Sequence, residues 1–218
     1  GFGVVIGLIN GLLVTKLKLP AFLATLGMME LVRGGAMWIT DTAAVPIENK
    51  TFCNIFGIGE VAGIPVLVLW TILFYIVGIL IFNKGTFGRH ILATGGNENS
   101  AIYSGINTKK VKIIAFTMSG AFAAFAGIMY AARMQAGRYS YGDGDEMSVI
   151  AAVVLGGTAM SGGTGSVIGA LFGSVLMGMM NNAVILANLS SAQQTMIKGG
   201  IIILAVALSN LSQGKKKN

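Results

Sequence analysis

The sequence predicts an all-α fold, a polytopic transmembrane helical bundle. Hydrophobic residues make up 54% of its 218 residues. Charged residues make up only 11%, whereas a soluble globular domain carries about 25%. The apolar residues also gather into runs of the length that crosses a bilayer, which is about 20 residues. So few charged side chains could not cover this much apolar surface in water, and the sequence therefore predicts an integral membrane protein.

Seven apolar segments are the candidate membrane spans. The first begins directly at Gly1, without an initiator Met or the basic start of a signal peptide, and we expect it to be a span cut short. Residues 147–197 contain no charged residue and are too long for one span, so we expect a glycine-rich helix break to divide them. We predict a single transmembrane domain over residues 1–218, N-terminally truncated. Its approximate spans are 1–15 (partial), 21–40, 64–82, 111–132, 148–160 (short or re-entrant), 166–186 and 196–211.

Lysine and arginine in the loops set the predicted orientation. If the spans alternate, ten basic residues fall on one side of the membrane and three on the other. Cytoplasmic loops carry the excess of Lys and Arg, so the richer side and the C-terminus are predicted to be cytoplasmic. Topology thus explains the net charge of +7, and nucleic acid is not an expected partner. The ten are Lys16, Lys18, Lys84, Arg89, Lys109, Lys110, Lys112, Lys215, Lys216 and Lys217, and the three are Lys50, Arg133 and Arg138.

Small residues recur at every fourth position in three of the segments. Residues four apart lie on one helix face, where small side chains let two backbones pack closely in lipid. The spacing predicts tight helix packing, which channels and transporters share. The three sets are Gly3, Gly7 and Gly11; Ser119, Ala123 and Gly127; and Gly165, Gly169 and Gly173.

The glycine-rich break (residues 156–165) contains too many glycines to hold a regular helix. Irregular backbone at membrane depth is tolerated only inside protein or beside a water-filled path. Two interpretations stay open: a helix break that lines a translocation path, or a tight turn at the cytoplasmic end of a short span. The candidate residues are Gly156, Gly157, Ser161, Gly162, Gly163 and Gly165.

The sequence lacks the residues for catalysis or for a metal centre. One cysteine, Cys53, and one histidine, His90, do not suffice for a Cys- or His-based metal site. No G-x-x-x-x-G-K-[ST] motif is present, so the chain does not bind ATP through a P-loop. Near Ser161, Ala159 replaces the glycine that a nucleophile elbow requires. We predict no catalytic residue, no metal and no cofactor in this chain, and therefore no enzyme.

One predicted span contains two charged residues, Glu30 and Arg33. They lie three positions apart, so they share a helix face and can form an ion pair. A charge inside the bilayer costs about 2.5–3.5 kcal/mol on insertion scales, so this face is expected to be interior or wet. The pair either borders a solute path or fixes helix packing. Because Glu30 is the only acid within a predicted span, the sequence shows no carboxylate relay of the kind a proton-coupled transporter uses.

The loop of residues 85–112 contains the signals of a short helix. Asn97 is a good N-cap residue, and Gly105 suits the left-handed position that ends a helix. Asn107 or Thr108 then caps the following span. A short capped helix on the cytoplasmic side is suited to docking a partner. The alternative is an ordinary polar loop with one turn of helix.

Three runs of the sequence, taken in order, resemble one family. The first is LPAFLATLGMMELVRGGAMWIT, and the second is ATGGNENSAIYSGINTKKVK followed by FTMSGAFAAFAGIMYAAR. The third is EMSVIAAVVLGGTAMSGGTGSVIGALFGSVLMGMMNN, running on into QQTMIKGGIIILAVAL. Together they cover most of residues 19–208. This ordered combination resembles the permease subunits of bacterial ribose/xylose/galactoside-type ABC importers.

The resemblance implies a permease homodimer or heterodimer in the bacterial plasma (inner) membrane. Cytoplasmic ABC ATPase subunits would bind MgATP, and an extracytoplasmic sugar-binding protein would deliver a monosaccharide such as ribose, xylose or galactose. The permease would provide the translocation path by alternating access. Branched-chain amino acids or nucleosides are the alternative cargo, and a self-sufficient channel or secondary transporter is the alternative class.

The resemblance also implies roles for particular residues. Residues 96–106 match the family's ATPase-coupling segment, and the acidic residue before the IAAVVLGG run matches an acidic position of the family. This acid would form an outer-face contact or a structural hydrogen bond. The matched coupling residues are Gly96, Asn97, Ala101, Gly105 and Ile106, and the acidic position is Glu146, with Asp143 and Asp145 beside it on the predicted outer face.

Overall fold

The computed structural model describes residues 1–187, 190, 192–197, 199–201, 203 and 207. Helices make up most of these residues, which confirms the all-α prediction. Much of the predicted span 196–211 lies outside the described residues, as do Lys215, Lys216 and Lys217. These helices include α1 (Phe2–Lys16), α2 (Ala21–Thr40), α3 (Lys50–Cys53), α4 (Val66–Ile79), α5 (Thr86–Gly96), α6 (Glu98–Tyr103), α7 (Thr108–Met134), α8 (Asp145–Leu155) and α9 (Val167–Leu186), with π-helical turns at Asn54–Ile58 and Leu80–Lys84.

Three of the described helices are long and apolar enough to cross a membrane. They are α4 with its π-helical extension, α7 and α9, with mean hydropathies of 2.5, 1.7 and 1.6. The first helix, α1, is a shorter apolar helix. The short helix α8 ends at Leu155, five residues before the predicted end at Met160. It ends there because Gly156 is its C-cap and Gly157 follows with φ +87°, a backbone conformation that does not continue a right-handed helix.

By their internal contacts the described residues form two compact units. Unit 1 comprises Gly1–Phe74 and Asn107–Gly142, and unit 2 comprises Tyr75–Ile106 and the described residues from Asp143 onward. The prediction that residues 1–218 form a single transmembrane domain stays a prediction.

In unit 1, α1 packs closely against α7 through the predicted glycine face. A methyl group on Gly11 would lie 2.9 Å from the Cα of Ile113, and one on Gly7 would lie 2.9 Å from the Cα of Thr117. Gly3 faces the backbone of Gly120 in the same way. Because these three glycines have no side chains, the backbones of α1 and α7 can approach closely, as expected for small residues at a helix interface in lipid.

The other predicted small-residue face in this unit is not the one that contacts α1. The glycine face of α1 contacts the α7 face that carries Ile113, Thr117 and Gly120, not the face of Ser119, Ala123 and Gly127. A methyl group on Gly127 would have no neighbour within 4 Å in the described part of the chain.

The remainder of unit 1 combines short strand pairs with an aromatic cluster. Strand β1 (Val45–Pro46) pairs with β4 (Ala136–Gly137), and β2 (Glu60–Val61) pairs with β3 (Ile64–Pro65), both antiparallel. The six aromatic rings of the cluster form a chain of contacts with neighbouring centroids 4.7–6.2 Å apart. These rings belong to Phe52, Phe56, Trp70, Phe74, Phe122 and Phe125.

In unit 2, α8 and α9 also approach through glycine. Built methyl groups on Gly169 and Gly173 would meet the backbone carbonyls of Gly156 and Ala152. Ala151, Ala152 and Met177 form the buried cluster beside these contacts. This is the packing that small residues at every fourth position predict for Gly169 and Gly173. Gly165 precedes α9 and lies against the side chain of Thr158 instead, at 3.3 Å from a built methyl group.

Candidate functional site

The predicted short helix is present as α6, and its cap geometry is as expected. The side-chain oxygen of Asn97 accepts a hydrogen bond from the Ser100 N–H at 3.0 Å, which confirms Asn97 as the N-cap. At the other end Gly105 has φ +81°, which confirms the left-handed position. The Ile106 N–H donates to the Ala101 carbonyl at 3.0 Å. The backbone of the coupling segment (residues 96–106) is thus closed by hydrogen bonds at both ends.

Of the six residues of α6, Ala101 is buried and the other five are exposed. Ala101, which the resemblance places in the coupling segment, is only 3% exposed and lies against its own fold. Ile102 and Tyr103 are 52% and 91% exposed. The exposed apolar surface of α6 therefore consists of Ile102 and Tyr103, neither of which the sequence prediction singled out. A tyrosine at the end of a short polar helix was the signal that could have indicated them, because an exposed apolar ring is typical of a contact surface.

The helix after α6 begins with a cap and a basic turn. The side-chain oxygen of Asn107 accepts a hydrogen bond from the Lys110 N–H at 3.0 Å, so Asn107 rather than Thr108 is the cap of α7. Lys109 and Lys110 are both exposed. These two ammonium groups make the start of α7 positively charged.

The glycine-rich break is an ordered turn. The Gly162 N–H donates to the Ala159 carbonyl at 3.0 Å, and the Ala159 N–H donates to the Thr164 carbonyl at 3.0 Å. Gly162 and Gly163 have φ values of +86° and +81°, which side chains rarely tolerate. These residues are therefore glycines because the turn requires it. A role in lining a translocation path stays a prediction.

This turn contacts the end of α5, and the contact joins two segments that the sequence analysis treated separately. A methyl group on Gly95 would lie 3.1 Å from the backbone nitrogen of Gly163 and 3.5 Å from the Cα of Gly162. One on Gly162 would meet the carbonyl of Gly95, and one on Gly96 would lie 3.4 Å from the Cα of Gly163. Backbone touches backbone here, directly before the coupling segment begins its helix.

The charged residues of α2 form the expected ion pair. Arg33 Nη1 lies 3.5 Å from Glu30 Oε1, and the two side chains are 24% and 65% exposed. The three glycines of α2, Gly27, Gly34 and Gly35, have space around them among the described residues. Whether the pair borders a solute path or fixes helix packing stays a prediction.

The acidic residues predicted for the outer face lie at the start of α8. Asp143, Asp145 and Glu146 are all exposed, and the last two belong to the first turn of the helix. Acidic side chains are favourable there, because the unpaired N–H groups and the helix dipole make the N-terminus positive. This placement accounts for Asp145 and Glu146 locally, and an outer-face contact stays a prediction.

Unit 1 also contains a cavity of about 730 Å³. Its wall is mainly apolar and includes Trp70, Leu69 and Leu73 on α4, with Asn54 and Glu60 as polar groups. The indole nitrogen of Trp70 donates to the Ile55 carbonyl at 2.9 Å, which fixes the ring. No pattern in the sequence indicated this cavity, since its wall combines residues of a π-helical turn, strand β2 and helix α4.

The family model for the permease component of the branched-chain amino acid transport system matches residues 1–206. The chain belongs to this family. It is therefore a permease component embedded in a membrane, as the apolar helices indicate. No solved structure matches the chain significantly.

Curated relatives of the permease include sugar importers. The permease is 39% identical over 214 residues to the ribose import permease of Escherichia coli strain K12. The aligned region covers 97% of this chain and 67% of the relative. The ribose import permease of Bacillus subtilis strain 168 is 38% identical over 200 residues (91% and 62%). The L-arabinose transport system permease of Escherichia coli strain K12 is 39% identical over 209 residues (96% and 63%). The permease thus spans about two thirds of the length of these relatives or slightly less.

Proposed function

We propose that the chain is the transmembrane permease subunit of an ATP-driven ABC importer for a monosaccharide of the ribose, xylose or galactose kind. The observation that carries this proposal is the similarity to permeases of ribose and L-arabinose along 91–97% of the chain. The chain itself performs no chemistry in this proposal. It provides the path by alternating access, and ATP hydrolysis belongs to a separate partner.

A cytoplasmic ABC ATPase that binds MgATP is the first proposed partner. The support is the shape of α6, a capped helix that presents Ile102 and Tyr103 outward. Aromatic residues are enriched at the centres of protein interfaces, and Tyr103 is nearly fully exposed. The exposed Lys109 and Lys110 at the start of α7 are consistent with a cytoplasmic position for this end of the helix.

The remaining assembly follows from the same proposal. An extracytoplasmic sugar-binding protein delivers the solute on the opposite side, which carries Asp143, Asp145 and Glu146. The permease works as a homodimer or heterodimer in the bacterial plasma membrane with its C-terminus in the cytoplasm. Glu30 and Arg33 lie in α2, which we predict to be a span, and charged groups within a span face protein or water rather than lipid. They are therefore our candidates for residues that border the path.

The first test is purification of the tagged full-length protein in mild detergent, with mass spectrometry of the proteins that stay bound. A stoichiometric P-loop ATPase supports the importer. The second step is uptake of labelled ribose, arabinose, xylose and galactose by proteoliposomes with the ATPase, the binding protein and ATP. ATP-dependent uptake of one of these sugars is the expected result. Uptake without ATP by the protein alone would overturn the proposal and indicate a channel or secondary transporter.

Branched-chain amino acids are the second candidate cargo, because the matching family is described by their transport. Leucine uptake belongs in the same assay. ATP-dependent uptake of leucine without uptake of any sugar would keep the importer and replace its cargo.

Tyr103→Ala tests the docking surface directly. Truncation of this side chain should weaken ATPase binding by about 1 kcal/mol or more, the usual cost for an energetically important interface residue. The measurement is the amount of ATPase retained per permease during purification. Tyr139→Ala, on the predicted outer side, is the matched control and should retain the ATPase. Equal retention by both variants would contradict the docking role of α6.

A further inference from the structure

The backbone contact between α5 and the glycine-rich break lies directly beside the coupling segment. Gly95 and Gly96 end α5, and Asn97 follows with an extended backbone (φ −155°, ψ 107°) that turns the chain directly into α6. Any displacement of α6 therefore acts on the end of α5. The end of α5 in turn touches Gly162 and Gly163.

The contact has little freedom to absorb such a displacement. A methyl group added at Gly95 would lie 3.1 Å from the Gly163 nitrogen, and a Cβ contact between 3.0 and 3.4 Å is already tight. Closely packed backbone lacks the rotatable side chains that could adjust, and packed interiors transmit strain. The turn is held internally by the hydrogen bonds of Ala159 with Gly162 and Thr164. A push on one side is therefore passed on to the other.

Beyond the turn, the contact continues into two helices. The glycine-rich break connects α8 directly to α9, and these helices touch through Gly156 with Gly169 and through Ala152 with Gly173. Helix α9 is one of the three described helices that are long and apolar enough to cross a membrane. Force applied at Gly162 thus reaches a membrane helix without passing through a flexible side chain.

A buried polar group lies next to the contact. The Thr94 hydroxyl oxygen is buried and has no hydrogen-bond partner among the described residues, and the residue is only 8% exposed. Buried polar groups are nearly always paired. The end of α5 thus contains both the glycine contact and, one residue earlier, this unsatisfied hydroxyl.

We propose that Gly95, Gly162 and Gly163 form a joint that transmits movement of the coupling segment to α8 and α9. They act as positioning residues for transport, because their effect passes through the helices and not through contact with the solute. The inference rests on the proposed function, since it assumes that an ATPase moves α6. It assigns to the glycine-rich break the role of receiving this movement.

The test is Gly95→Leu in the full-length permease, with its ATPase and binding protein. Leucine on Gly95 meets the turn, whereas α6 keeps its cap and its exposed side chains. The expected result is that ATPase retention stays within about twofold while ATP-driven uptake falls by roughly 5- to 150-fold, the range of typical coupling free energies. Gly178→Leu in α9 is the matched control, because a built methyl group there has no neighbour within 4 Å in the described chain. Gly178→Leu should leave both ATPase retention and ATP-driven uptake unchanged.

A smaller substitution keeps the inference testable if Gly95→Leu does not fold. Gly95→Ala adds only the methyl group at 3.1 Å, in a helix that alanine favours. Uptake should fall several-fold with ATPase retention unchanged. Unchanged uptake in a folded Gly95 variant, or a loss of uptake that merely follows the loss of bound ATPase, would overturn the joint.

The two proposals fail in different ways. If the unaltered protein retains no ATPase and moves no solute with ATP, the proposed function is wrong. If the unaltered protein works and Gly95→Leu and Gly178→Leu behave alike, only the joint is wrong.

Discussion

The two units each contain a close backbone contact made by glycine, and the reason for glycine differs between them. In unit 1, Gly7 and Gly11 have ordinary helical backbone, and their role is to let α1 approach α7. In unit 2, Gly162 and Gly163 have φ values of +86° and +81° and also touch α5. The first contact needs only space, whereas the second needs space and a left-handed backbone.

This difference predicts what substitutions do. At the α1–α7 contact, the cost of a side chain should rise with its size, because the helices must move apart. At the turn, even alanine should be costly, since conformational strain is added to the contact. Glycines without a close neighbour or a positive φ should tolerate alanine. Three experiments on glycines test this comparison, and a fourth tests the cap of α6 in unit 2.

Gly7→Leu should have the largest effect. Its side chain would enter the backbone of Phe116 and Thr117 on α7, and overpacking of this kind costs typically about 1–3 kcal/mol and sometimes more. We expect a value at the top of that range or loss of the folded protein. Thermal unfolding in detergent, followed by size-exclusion chromatography, measures it. Gly127→Leu on α7 is the control, and equal destabilisation by both would remove the distinction between close and open glycines.

Gly162→Ala should be less severe but more costly than Gly157→Ala. Both positions have nearly the same backbone, with φ +86° and +87°, so each pays about 1–2 kcal/mol for a side chain in the left-handed region. Only Gly162 also meets the carbonyl of Gly95, whereas Gly157 has space among the described residues. The difference in unfolding free energy between the two variants isolates the contact. A difference of zero would mean that the turn needs glycine only for its conformation.

Asn97→Ala should have a local effect of intermediate size. It removes the hydrogen bond from the Ser100 N–H, and loss of an N-cap costs about 0.5–2 kcal/mol. Amide hydrogen exchange in α6 should accelerate, while exchange in α1 and α7 stays unchanged. Asn97→Asp keeps an acceptor and should restore protection. Faster exchange throughout unit 1 would contradict a local role.

Gly127→Ala should have the smallest effect, and of opposite sign. Alanine stabilises a helix by roughly 0.5–1 kcal/mol relative to glycine. Apart from its chain neighbours and its own helix backbone, no described residue has an atom within 4 Å of the new methyl group. A small rise in melting temperature is expected. A marked fall would show that this face of α7 has a neighbour in the assembled transporter.

Local features of the molecule could be read from the sequence because they depend on neighbouring residues. The caps at Asn97 and Asn107 and the left-handed Gly105 follow from short-range hydrogen bonding and from steric limits on the backbone. The ion pair of Glu30 with Arg33 follows from helical spacing. The end of α8 was predicted wrongly, because the prediction extended the helix to Met160, past Gly156 and Gly157.

Which surfaces meet was decided only by the tertiary structure. The spacing shows which helix faces carry small residues but not which face of a neighbour each one meets. It therefore could not show that α1 would use Gly120 of α7 and leave Gly127 open. Burial was equally hidden, since Ala101 and Tyr103 lie on the same short helix and only the fold exposes one of them.

The sequence by itself determined a helical membrane protein with a short capped helix, because composition, apolar run length and capping are properties of the local chain. Only the tertiary structure placed Gly95 against Gly162 and Gly163, joining two candidate sites that lie far apart along the chain. The physical reason is that a backbone contact between glycines leaves no pattern in the sequence: it depends on two turns whose positions are set by all the helices around them.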